Sequence, residues 1–297
     1  MKFDVVTFGS GLIDTFVDTG LGEKGKFMCY NVGSKIEVKN IKTDIGGGGT
    51  NTAVAFSRLG LKTGWVGKLG KDTNGKEILN LLKKEKVTFL GKFIKKEKTD
   101  QSIILDSKQH NRTILIHKGL NNQIEKKDVT GFRTNWLYLT SLSKTSFKTQ
   151  KQLAEILTKK GTKIAFNPGE HLIKTTNILP LLKLTHVLIL NKEEATLLTK
   201  EKDLLKGLSK LGPKIIVITD KNKKISCYDG IKKHFLIPNK IKVLERTGAG
   251  DAFASSFVAG LIKNKSIPYC LKLGLKNSES VIRYFGAKNN LIKKWPA

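Results

Sequence analysis

The sequence predicts a mostly parallel α/β sheet with helices packed on both of its faces. Apolar, β-rich runs recur along the 297 residues with amphipathic helical patterns between them, and such alternation marks strands joined by helical crossovers. Two stretches depart from it by reading as antiparallel strands, and a glycine-rich turn late in the chain opens directly into an apolar helix.

In chain order, strands are expected at residues 4–9, 63–68, 135–139, 163–167, 186–191 and 214–219. Helices are expected at 51–59, 74–84, 146–160, 192–198, 204–211, 249–263 and 266–285, where apolar residues fall on one helical face. Residues 35–41 alternate with period two, and 101–106 with 112–117 read as a hairpin across 107–111. Together these imply a small antiparallel sheet projecting from the main body. No internal repeat or low-complexity linker divides the chain, so one large domain is expected.

The composition narrows the functional classes. Hydrophobic residues make up 39% of the chain and no apolar run approaches the length of a membrane span. The first residues carry an acid and read as a strand, not as a secretory signal, so a cytoplasmic protein is expected. Cys29, Cys227 and Cys270 are widely separated, as reduced thiols would be, and the five histidines show no zinc-ligand spacing. A formal net charge of +29 would attract polyanions. Its basic residues are almost all lysines spread over the polar segments, however, with no nucleic-acid-binding module beside them. That argues against a dedicated nucleic-acid function.

The chemistry concentrates in four places. The run Thr247-Gly248-Ala249-Gly250-Asp251 feeds a helix whose apolar face is Ala252, Phe253, Phe257, Leu261 and Ile262. Small residues there let backbone N–H groups and the helix dipole converge on an anion, with the Asp251 carboxylate poised to accept a proton. Gly46-Gly47-Gly48-Gly49-Thr50-Asn51 likewise enters a helix, where glycine permits close backbone approach and Asn51 offers a donor and an acceptor to a polyol. Asp14 follows the first strand in a passage resembling a dinucleotide fingerprint, but its carboxylate stands where the third glycine should be, which rejects that reading. An acid there suits sugar hydroxyls, or a simple turn. Asn191 and Glu194 lie one turn apart at a helix start, able to hold a hydrated Mg²⁺ beside phosphates or merely to cap the helix. Two near matches to a phosphate-binding loop, at 20–27 and 70–77, lack the Ser/Thr that would meet Mg²⁺.

In that order, Asp14, the Gly46–Asn51 run, the Asn191–Glu194 stretch and Thr247–Asp251 resemble the PfkB or ribokinase-like carbohydrate kinase family. The resemblance covers nearly the whole chain and includes both signature regions, at 46–60 and 247–260, with further matches at 66–72, Gly75, Asn167-Pro168 and Thr219. It implies a three-layer α/β/α ribokinase-like fold with a small β-sheet lid, here drawn from segments within about 15–45 and 91–118. It also implies ATP-dependent phosphorylation of a hydroxymethyl group with Mg²⁺. By resemblance, Asp251 is the base, Gly248, Ala249 and Gly250 form the anion hole, and Asp14, Gly46, Gly47 and Asn51 hold the sugar. Asn191, Thr219, Thr247, Gly248, Gly250 and Asn277 would contact the nucleotide, with Glu194, through water, and Asn191 serving the metal.

Three departures from the family pattern bear on specificity. The turn after Thr219 has no glycine where relatives carry several. Gly48 stands where some relatives binding ribose or phosphorylated sugars carry lysine, which favours an unphosphorylated sugar, with a nucleoside as the alternative. Glu245 replaces an aspartate near the family's monovalent-ion site, leaving K⁺ as an optional cofactor. The resemblance also allows a homodimer paired through the lids, and a catalytically silent sugar- or nucleotide-binding homologue stands as the competing reading.

Overall fold

The computed structural model describes residues 2–109 and 111–295. The chain opens with β1 (Lys2–Phe8), β2 (Leu12–Asp18), β3 (Asn40–Gly46), α1 (Gly48–Arg58), β4 (Thr63–Val66), β5 (Lys68–Gly70) and α2 (Thr73–Lys84). Short strands β6 (Thr88–Phe89) and β7 (Lys92–Ile94) lead to the hairpin β8 (Gln101–Asp106) and β9 (Arg112–His117). Next come β10 (Arg133–Thr140), α3 (Lys144–Thr158), β11 (Lys163–Asn167), α4 (Glu170–Thr175), α5 (Leu179–Leu182), β12 (Val187–Asn191), α6 (Lys192–Leu198) and α7 (Leu204–Ser209). The chain closes with β13 (Ile215–Thr219), β14 (Ile225–Tyr228), β15 (Lys233–Leu236), α8 (Ala249–Ile262) and α9 (Ile267–Val281).

Among the described residues the main sheet has nine strands in the order β15-β14-β13-β12-β11-β10-β1-β4-β6. It is parallel from β6 to β13, and β14 and β15 extend it antiparallel. Successive residues of each central strand point to opposite faces, and both faces are buried. Leu137 and Leu139 of β10 pack with Phe166, Leu188 and the helices α3 to α7. Trp136 and Tyr138, one residue out of phase, pack with Val187, Val217 and the helices α1, α8 and α9. Three layers result, as expected.

A separate four-stranded sheet, β3-β2-β8-β9, stands at the carboxyl ends of the main strands. The hairpin falls on the expected strands, and the turn between them includes residue 110, which lies outside the described residues. The third strand is shifted. Period-two alternation pointed to 35–41, yet 34–38 carry no regular structure and the strand runs Asn40–Gly46. Pairing with β2 in register Leu12↔Gly46 to Asp18↔Asn40 decides the matter, because only that register brings the chain back to the start of α1. Strand β2 was not among the strands expected, although the small sheet was expected to draw on segments within about 15–45.

The glycine run is where the two sheets meet. Gly49 and Thr50 donate their N–H groups to the Ser10 carbonyl at 2.9 and 3.2 Å, tying the first turn of α1 to the β1–β2 turn. Gly47 has φ +95°, and a Cβ there would lie 2.5 Å from the Ser10 carbonyl oxygen; at Gly49 it would lie 2.4 Å from Gly9. Glycine is required at both by space and, at Gly47, by backbone conformation as well. A Gly47→Ala variant is expected to lose about 2 kcal/mol or more of unfolding free energy in urea titration, through left-handed strain and the carbonyl clash together.

Candidate active site

At the carboxyl edge of the main sheet, parallel pairing sets Thr140 beside Asn167 and Asn191 beside Thr219. Ligands of such sheets bind in the crevice outside these strand ends. The small sheet stands over the same edge, and its rows are read off the register: Asp44, Asp14 and Ser102 lie side by side on β3, β2 and β8, with Ile116 of β9 completing the row.

Asp14 is buried, and Ser102 Oγ donates to its Oδ1. Burial raises its pKa above the usual carboxylate range, and the neighbouring Asp44 and Asp251 add to this against Ser102 and Lys288. A Cβ on Gly46 would sit 1.8 Å from Asp14 Oδ2, so Gly46 leaves room for the carboxylate. Asn51, on the first turns of α1, donates from Nδ2 to Asp251 Oδ2 at 2.8 Å across 200 residues of sequence. This hydrogen bond joins the two signature regions, whose helices α1 and α8 also pack through Val54, Ala55 and Ala252.

Helix α8 begins at Gly248, whose φ of +80° turns the chain into the helix. A Cβ at Gly248 would lie 2.6 Å from Ala287, so the loop packs directly on the segment 286–288. The N–H of Ala249 turns back to the Arg246 carbonyl at 3.3 Å, and the first helical bond is Ala252 N–H to the Gly248 carbonyl at 2.8 Å. Among the described residues, the N–H groups of Gly248, Gly250 and Asp251 have no protein acceptor. Of the three N–H groups expected to face an anion, those of Gly248 and Gly250 are free and that of Ala249 is engaged, while the Asp251 N–H is free as well. Burial raises the Asp251 pKa, while the Asn51 amide and the Lys288 ammonium hold it down.

Beside this loop lies a cavity of about 820 Å³, lined among others by Pro238, Lys240, Ile241, Val243, Arg246, Ala249, Leu275, Ser278 and Ile282. Ala249 belongs to both the cavity and the loop, so a ligand filling the first ends at the second. Lys221 and Asn222 also line it. The glycine-free turn after Thr219 reaches the cavity because Lys221 itself adopts φ +49°, braced by an ion pair with Glu193 at 3.0 Å. Thr219 ends its strand with Oγ1 directed at the Leu190 carbonyl, 3.4 Å away. Asn277 is elsewhere. It is fully buried, donating to Ser256 Oγ and accepting the Ile292 N–H, and so ties α9 to α8 and the C-terminal segment instead of lining the cavity.

Asn191 and Glu194 form a reciprocal capping box at the start of α6, with bonds of 2.8 and 2.9 Å. The Glu194 pKa is raised by burial and by the nearby Glu170 and Glu193 carboxylates, although backbone bonds oppose this. Among the described residues no three His, Cys, Asp or Glu side chains form a metal-binding group. The donor set fits a hydrated Mg²⁺ held chiefly by phosphates, since crowded carboxylates beside the strand ends would accept hydrogen bonds from its waters.

Glu245 does not fit a monovalent cation. Both of its oxygens are gripped by the Arg112 guanidinium from β9 of the small sheet, and Oε1 also accepts the Thr247 N–H and hydroxyl at 2.8 and 2.7 Å. Arg112, Asp44, Ser102 and Lys288 were not singled out from the sequence. Arg112 and Ser102 fall within the two expected hairpin strands without any chemical signal of their own, and Asp44 and Lys288 sit in polar stretches that look like any solvated segment of a lysine-rich chain.

Residues 8–294 match the pfkB family carbohydrate kinase pattern. The chain belongs to the pfkB family of carbohydrate kinases. A sugar kinase of Archaeoglobus fulgidus is 26% identical over 249 residues, covering 80% of this chain and 98% of its own. The ribokinase of Arabidopsis thaliana, solved with ribose and ATP, superimposes with TM-score 0.79 at 22% identity, over 98% of this chain and 96% of that one. The adenosine kinase of Sinorhizobium meliloti gives 0.82 at 19% identity, over 97% and 96%. At these scores and coverages the likeness shows a shared fold over nearly the whole chain. No helix among the described residues is long and apolar enough to cross a membrane.

For this pfkB-family chain, burial pushes the Glu245 pKa up, but hydrogen bonds and charge from Arg112, together with Thr247, pull it below the ordinary value. A carboxyl with a depressed folded pKa stabilises above its unfolded pKa and loses that contribution as pH falls through the folded value. Arg112→Met leaves the Glu245 charge buried and unpaired, at a cost of about 3 kcal/mol near neutral pH. Urea unfolding from pH 7 to 3 is expected to show that deficit shrinking as Glu245 protonates.

Proposed function

We propose that this enzyme transfers the γ-phosphoryl group of ATP to a hydroxymethyl group of a small, unphosphorylated sugar. The observation that carries the proposal is the Asn51–Asp251 hydrogen bond, 2.8 Å long, set beside a row of free N–H groups that opens onto a nucleotide-sized cavity. Base, anion hole and nucleotide volume are contiguous.

In this reading the sugar lies between the small sheet and α1, held by Asp14, Asn51 and the close backbone at Gly46 and Gly47. Thr247 and the cavity lining hold the nucleotide, with Thr219 near its phosphates. Glu194, with Asn191, orients waters of the Mg²⁺ that supplies charge neutralisation to the phosphates. Asp251 accepts the hydroxyl proton. Its raised pKa suits this task, and in a loose transition state the proton leaves late, so a carboxylate suffices. The N–H groups of Gly248, Gly250 and Asp251 meet charge as it spreads over the phosphoryl oxygens. The small sheet acts as a lid that excludes water and suppresses hydrolysis of ATP.

A nucleoside acceptor is the second reading. It is favoured by Ile114 and Ile116, exposed apolar residues on the same lid face as Asp14, which suit a base better than a polyol. The opposite lid face exposes Ile41, Ile103 and Leu115, consistent with lids pairing in a homodimer.

Coupled ADP release over pentoses, hexoses, sugar acids and nucleosides separates the two readings, and binding without ADP formation across the panel would favour a silent homologue. On the best acceptor, Asp251→Asn is expected to lower kcat by roughly 10²–10⁴-fold while leaving ATP binding, read by calorimetry, intact. Near-wild-type turnover would refute the assignment of the base.

A further inference from the structure

The side chain of Lys288 is buried where four elements converge. Its ammonium donates to the Ile45 carbonyl and to Asn51 Oδ1, and only 4% of the residue is exposed. Carboxylates face it from three sides: Asp44 on β3, Asp14 on β2 and Asp251 on α8. From α1, Arg58 binds the Lys288 carbonyl at 2.6 Å while paired with Glu85. Asp14 and Asp44 are directly opposed across the β2–β3 ladder, and Asp44 Oδ2 is buried without a hydrogen-bond partner. Like charges so placed repel, and Lys288 is the cation that offsets them.

We propose that Lys288 is a positioning residue, whose ammonium dictates which end of the Asn51 amide meets Asp251. The inference rests on the reading of Asp251 as the base. An amide presents a donor at one end and an acceptor at the other, whereas an ammonium only donates. With Lys288 on Oδ1, the Nδ2 donor must face Asp251, as the 2.8 Å bond shows. Were the amide flipped, its oxygen would face the carboxylate, and Asp251 would need a proton to bond it. A protonated Asp251 takes no proton from an acceptor hydroxyl.

The arrangement is conditional on charge. Burial lowers the Lys288 pKa to about 8, with Arg58 adding to the shift, although Asp44, Asp14 and Asp251 oppose it. Above that pH the neutral amine donates and accepts, so it no longer selects one orientation of the amide.

The test is titration of protein labelled with ¹³C at the aspartate carboxyls, the Asp251 resonance being assigned by its absence in Asp251→Asn. In the wild type that resonance is expected to carry a second inflection near pH 8, as Lys288 loses its proton. In Lys288→Met the Asp251 pKa is expected to rise by about one unit, and in Lys288→Arg, which also only donates, to stay near the wild-type value. Combined with Asn51→Ala, Lys288→Met is expected to shift Asp251 by less than it does alone. An unchanged Asp251 titration in folded Lys288→Met overturns the proposal. So does a wild-type resonance without the inflection, a measurement that needs no variant to fold. Turnover enters neither, so this failure is distinct from that of the kinase reading, which Asp251→Asn turnover decides.

Discussion

Backbone packed against backbone, where residues 46–49 cross residues 9–11, is the contact on which the remaining architecture depends. Any side chain at Gly49 would collide with Gly9 and Trp65, and one at Gly47 with Ser10 and Gly11. With no side chain there, the Ser10 carbonyl accepts the first N–H groups of α1, and the helix starts directly under the small sheet. From that start, Asn51 is carried to Asp251, and β3 is carried into register with β2. The β1–β2 turn is itself held from outside by Asn121, whose amide makes both a donor and an acceptor bond to the Gly11 backbone. Buried Asp100 orients that amide in turn.

Around this contact, buried charge is arranged in two groups. Beside β2 and β3, Asp14, Asp44 and Asp251 surround Lys288, and burial raises the Asp14 and Asp251 pKa values. Farther along the small sheet, Arg112 of β9 and Glu245 form a forked pair that also holds Thr247, three residues before Gly250. One strand of the small sheet therefore touches the loop that presents the free N–H groups. The small sheet and the loop are mechanically joined through that pair.

Much of this was legible in the chain. Six of the nine strands of the central sheet, β1, β4 and β10 to β13, with the helix at 192–198 and the hairpin 101–106 with 112–117, follow from apolar periodicity, because both faces of the main sheet are buried there, whereas the edge strands β6, β14 and β15 are short and were not expected. The Asp251 loop and the glycine run were legible because glycine is conspicuous and its physical uses are few. Strand β3 was misplaced because residues 35–39 alternate without being part of a ladder; pairing, not alternation, makes a strand. Asn277 is a buried tie between helices, which a polar residue within a helical pattern does not announce.

The order of motifs, the alternation of strands and helices and the two glycine-rich helix starts were determined by the sequence alone, since each depends on local conformation or on spacing along the chain. Tertiary structure decided the rest. Lys288 stands 237 residues from Asn51, and Arg112 stands 133 from Glu245. In a chain with so many lysines, one ammonium becomes part of the site only because folding strips its water and surrounds it with three carboxylates. That change of environment is a property of packing, which no local pattern encodes.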